Sequence, residues 1–139
     1  MPGLPAVAAA ALLVAGCTTT SATPVDATAA PTDAAPGPFC AQWRVMVGLQ
    51  PDDVDGGRVE EVRAAARELA RIGTPGDIPR SAREGFVRYV AALSVLTEEQ
   101  ARDGAAAPLG DVTAALGLAV SDGGDLAAVR DYGAGTCFS

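Results

Sequence analysis

Histidine, lysine and asparagine occur nowhere in the 139 residues. Without histidine there is no imidazole general base, no Ser-His-Asp or Cys-His arrangement and no imidazole metal ligand. Without lysine there is no P-loop and no Schiff-base amine. All 10 basic residues are therefore arginine. With abundant alanine, glycine and proline, this is the bias of a GC-rich genome, so missing asparagine says little about function. One enzyme plan survives these absences, the paired carboxylates of glycoside hydrolysis. Its candidates, Glu60, Glu61, Glu84, Glu98 and Glu99, fall on predicted polar faces or caps, and one small domain leaves little room for a sugar cleft. The expectation is a chain that is not an enzyme and carries no cofactor.

Positive charge is also scarce. The net charge is −7 and the pI about 4.4, the wrong sign for nucleic acid or for attraction to anionic lipid heads. The longest apolar run, Leu4 to Ala15, matches a signal h-region and is shorter than the roughly 20 residues a spanning helix needs. Val14-Ala15-Gly16-Cys17 follows it. Small residues before a cysteine suit a peptidase that cuts ahead of a thiol already joined to diacylglycerol, so Cys17 is the expected lipidation site. The same leader also fits simple secretion. No Lys or Arg lies between Met1 and Gly16, and an upstream start would supply the usual basic n-region. Membrane attachment is then expected through acyl chains, each buried methylene contributing about 0.8 kcal/mol.

There are 3 cysteines, and lipidation of Cys17 leaves an even pair, Cys40 and Cys137. In an exported chain these are expected to form a disulfide. No C-x-x-C motif or histidine offers a metal or reactive-thiol alternative.

Residues 17–38, after a leader of 1–16, read as a disordered Thr/Ala/Pro tether, because Val25 is the only large apolar residue among them. Its threonines are candidates for O-linked sugars. From Phe39 to the end, 39–139, apolar residues recur at helical spacing. Phe39, Cys40, Trp43, Met46 and Val47 mark a first helix to about Leu49. Val59, Val62, Ala66 and Leu69 mark a second, ended by Gly73 and Pro75. A third starts near Ser81 and turns Ala82, Phe86, Tyr89, Val90, Leu93 and Leu96 inward, with Gly85 weakening it slightly. Thr97 and Gln100 form a capping box for a short segment stopped by Gly104. Leu109, Val112, Leu116 and Val120 continue the spacing, and a last helix from about Ser121 carries Leu126, Val129 and Tyr132 toward Cys137. No period-two stretch rich in β-branched residues appears. The fold class is all-α, a small antiparallel bundle of four to five short helices closed by one disulfide.

Asp52, Asp53 and Asp55 beside Gly56-Gly57 invite a calcium reading, but the register fails. With Gly57 sixth, the third position is Val54, the fifth Gly56 and the twelfth Arg63. An acidic turn at a helix N-terminus accounts for them, and Asp122 and Asp125 are read the same way, so no metal site is assigned. Arg63, Arg67 and Arg71 form a stripe that either meets an anionic partner or stays solvated and paired with Glu60 and Glu68. Trp43, Phe86, Tyr89 and Tyr132 are either core or the lining of a ligand pocket between helices.

Taken together, VAGC, the Thr/Pro tether, FCAQW, TPGDIP before GFVRYV and a terminal TCFS resemble the small uncharacterised lipoproteins and secreted proteins of Actinobacteria. That resemblance spans nearly the whole chain. It implies export and a helical domain closed by an early and a late cysteine, and no catalytic residues. The expected function is a lipid-anchored extracytoplasmic module that binds a protein or envelope partner, or alternatively a small-ligand carrier with a pocket near Trp43.

Overall fold

The computed structural model describes residues 3, 23–49, 56–106 and 123–139. Cys17, Asp52, Asp53, Asp55, Asp122 and the predicted helical stretch from Pro108 to Val120 lie outside the described residues. The described chain is helical: a 3-10 turn, Ala27–Ala29, then α1 (Pro36–Gly48), α2 (Gly56–Ile72), α3 (Arg80–Ser94), α4 (Glu98–Ala106) and α5 (Gly123–Cys137).

Each helix follows from its sequence. Proline in the first turn starts α1 three residues before Phe39, since its missing N–H lies where no intrahelical bond is made. Val59, Val62, Ala66 and Leu69 of α2 are buried as their spacing requires. Gly73, at φ +84°, ends α2 by turning its N–H back to the Leu69 carbonyl at 2.9 Å. Ala82, Phe86, Tyr89, Val90 and Leu93 form the inner stripe of α3, while Leu96 is buried just beyond its end. The capping box is made in both directions, Thr97 N–H to Gln100 Oε1 at 3.0 Å and Gln100 N–H to Thr97 Oγ1 at 3.1 Å. Helix α4 runs on through Gly104 to Ala106. A mid-helix glycine costs only about 1 kcal/mol, which did not stop the helix as expected.

Helices α1, α2, α3 and α5 form a ring of antiparallel neighbours, with α3 against α5 the most extensive contact. Cys40 meets Cys137 while Trp43 meets Gly133, which fixes the opposite sense of α1 and α5. Gly85 meets the backbone of Asp125. The glycine expected to weaken α3 is thus the point where the start of α5 crosses it, and no side chain would fit there. One core joins the elements, with Phe39, Phe86, Met46, Leu69, Val90 and Val129 fully buried.

The Cys40–Cys137 disulfide closes the bundle across 97 positions, with Cα atoms 5.0 Å apart. Closing a loop of about 100 residues removes unfolded-state entropy equivalent to at most about 4.7 kcal/mol. That is a large fraction of the roughly 5–15 kcal/mol that holds a domain folded. Among the described residues no helix is long and apolar enough to cross a membrane.

The structure corrects the expected tether. Residues 25–34 are a strap lying along α3, antiparallel to it, and Ala27 and Ala30 enter the core. At one end, the Val25 N–H donates to Ser94 Oγ at 3.0 Å. At the other, Thr74 N–H donates to Pro31 O and Ala34 N–H to Thr74 O, at 2.9 and 3.0 Å. Between them, Arg83 donates to the carbonyls of Ala27, Ala30 and Pro31 and to Thr74 Oγ1. Ordering ten residues costs on the order of 10–20 kcal/mol of backbone entropy, and two alanines and a valine bury too little to offset it. Charge-assisted hydrogen bonds, about 1.5–3 kcal/mol each, add to that burial, and Pro31 lowers the entropy to be lost.

Candidate functional site

The four aromatics proposed as a pocket lie in or against the core. Trp43 is 2 % exposed and Phe86 fully buried, with Tyr89 buried and Tyr132 half-buried. Phe39, which the pocket reading omitted, stacks on Trp43 with ring centres 5.8 Å apart and meets Tyr132 at 6.1 Å. Trp43 in turn meets Tyr89 at 6.4 Å. Phe86 stands apart from this chain of rings, beneath the Arg83 guanidinium at 5.3 Å. Burial holds the Arg83 pKa below its ordinary value.

An open groove of about 460 Å³ does border Trp43, but on the outer side of the indole. Its lining is Trp43, Val47, Ala127, Arg130, Asp131, Ala134 and Phe138, from α1, α5 and the residue after α5. Of the four predicted residues, Trp43 alone contributes. Arg44 builds one end: its Nε donates to the Cys137 carbonyl at 2.8 Å, its Nη2 donates to the same oxygen, and the guanidinium lies 5.8 Å from the centre of the Phe138 ring. Helix α5 is thereby capped, and Phe138, 56 % exposed, is held at the mouth. Sequence periodicity missed this site because Leu126 and Val129 dominate the α5 pattern. The available signal was a second row, Ala127, Asp131, Ala134 and Phe138, stepping by four, three and four.

The arginine stripe is committed within the chain. Arg63 Nε donates to Leu96 O at 2.7 Å and Arg67 Nη2 to Ser94 O at 3.2 Å, so both serve carbonyls at the end of α3. Glu60 pairs with Arg63 and Arg67, and Glu68 with Arg71. The Arg71 hydrogen bond holds the Glu68 carboxyl below its ordinary value. Glu84 pairs with Arg80, Glu98 and Glu99 sit in the first turn of α4, and Glu61 is exposed on α2. Asp125 pairs with Arg88 across 3.6 Å. Among the described residues no three His, Cys, Asp or Glu side chains gather as metal ligands.

The Tyr132 hydroxyl donates to Asp77 Oδ1 at 2.9 Å, joining α5 to the turn before α3. Partial burial first, then this bond, pushes the Tyr132 pKa above its ordinary value. No protein-family model, curated protein or solved structure matches this chain.

Proposed function

We propose that this chain is a lipid-anchored extracytoplasmic protein whose helical domain works by binding, as an interaction module of the cell envelope. The observation that carries the reading is the division of the cysteines. Cys40 and Cys137 are joined, which leaves Cys17, at the end of the Val14-Ala15-Gly16-Cys17 signal pattern, for the lipid. A disulfide is compatible with an oxidising compartment. The strap shortens the expected tether: from Cys17 to Val25 the chain reaches at most about 29 Å, at roughly 3.6 Å per residue. The domain is then kept close to the bilayer that holds the acyl groups.

The test is metabolic fatty-acid labelling with membrane fractionation. The natural chain is expected to take label and to sediment with membranes, and Cys17→Ser to do neither. Label that persists in Cys17→Ser overturns the anchor. The groove beside Trp43 favours a second reading, a small-ligand carrier, and native mass spectrometry separates the two because a carrier retains a bound mass.

A further inference from the structure

Helices α1 and α5 differ from their neighbours in what they turn outward. The outer face of α2 carries Glu60, Glu61, Arg67 and Arg71, and that of α3 carries Arg80 and Arg88. By contrast α1 exposes Val45 and Val47, and its arginine, Arg44, is engaged with the Cys137 carbonyl. Helix α5 exposes Ala127 and Ala134, followed by Phe138. A helix apolar on both sides is ordinarily covered on both. The disulfide fastens these two helices together, so their outer faces form one surface.

Two charges interrupt it, Arg130 and Asp131, at the centre of the groove lining. Neither has an ion-pair or hydrogen-bond partner among the described residues. Their arrangement along α5 is palindromic. A twofold axis passing between 130 and 131, perpendicular to the helix, sets Arg130 against Asp131 of a second copy and Asp131 against its Arg130. The same axis sets Ala127 against Ala134 and Phe138 against Gly123. Small residues two helical turns apart let two backbones approach closely. At each end the aromatic ring meets a glycine, which offers no side chain to block it. Isologous contact requires this kind of self-complementarity, with each residue and its opposite exchanged between copies.

We infer that the α1–α5 face is a homodimer interface, formed by antiparallel packing of α5 on α5 of a second copy, with two reciprocal Arg130–Asp131 ion pairs. This names a partner for the interaction module proposed above and does not depend on the lipid anchor.

Sedimentation equilibrium of the oxidised full chain bearing Cys17→Ser separates the two questions, since it measures self-association without acylation. A concentration-dependent dimer is expected. Arg130→Asp places acid against acid and Asp131→Arg base against base, so each alone should raise the dimer dissociation constant about tenfold or more. Mixing the two variants should restore association as a heterodimer, and the double exchange should restore the homodimer. Both positions are exposed, and unchanged circular dichroism confirms that each variant is folded. A chain monomeric throughout the concentration series overturns the inference, as does a dimer indifferent to both single variants. A monomer that retains a small molecule overturns it in favour of the carrier.

Discussion

The indole of Trp43 fills the space in which a Cβ on Gly133 would stand. Helix α5 therefore approaches α1 at a glycine, and the large ring seals the junction between the aromatic core and the outer groove. Gly133→Ala gains up to about 1 kcal/mol of helix propensity but forces a buried ring to move, a cost of typically 1–3 kcal/mol. The clash should win. Trp43→Ala removes the ring altogether and should cost roughly 3–5 kcal/mol. Denaturant unfolding checks both values, and the pair of substitutions combined should cost less than their sum, because the alanine at 133 no longer meets an indole.

Arg83 carries a second relationship with a clear consequence. Its guanidinium reaches the Ala30 carbonyl at 2.7 Å across 53 positions of sequence. With little apolar area under the strap, Arg83→Met should release it while the disulfide-closed bundle stays folded. Global stability should fall by about 2 kcal/mol, the scale of charge-assisted hydrogen bonds lost from a segment that can rehydrate. Amide exchange gives the sharper reading: the Ala34 and Thr74 amides, bonded across the strap junction, should lose protection far more than those of α2. Arg83→Lys should rescue only part of this, since an ammonium cannot bridge the same carbonyls as a planar fork. Equal loss of protection throughout would mean that Arg83 supports the bundle and not the strap.

How far the sequence disclosed these features depends on what holds each one. Helix α2 was legible because Val59, Val62, Ala66 and Leu69 bury the stripe that their spacing describes. The Thr97–Gln100 box was legible because its chemistry is local. Pairing of Cys40 with Cys137 followed from the cysteine count and the expectation of export. The strap was not legible, because Ala27 and Ala30 are held by an arginine more than fifty residues away and a Thr/Ala/Pro segment shows no periodicity. The outer face of α5 was hidden for the opposite reason: alanine reads equally as core or as surface, and the Leu126, Val129 row accounts for the helix unaided.

The missing lysine, which narrows the chemistry of the chain, makes one pH prediction unusually clean. Above pH 9, ordinary proteins lose ammonium charges from lysine, and here there is no lysine whose titration would overlie that of Tyr132. Partial burial and the bond to Asp77 raise the Tyr132 pKa in the folded state, so the folded protein holds this proton more tightly than the unfolded chain does. Its contribution to stability is complete below the unfolded value of about 10 and is lost as pH rises through the higher folded value. Tyr132→Phe should therefore be somewhat less stable than the natural chain at pH 7, having lost one hydrogen bond worth about 0.5–1.5 kcal/mol. The difference should shrink as the pH is raised past 10, because the natural chain loses what the variant never had. Urea unfolding at a series of pH values measures the gap, and tyrosinate absorbance in the same samples should show a late-titrating tyrosine that the variant lacks. A gap that stays constant through the alkaline range would separate Tyr132 from the pH dependence and leave its bond to Asp77 without energetic weight.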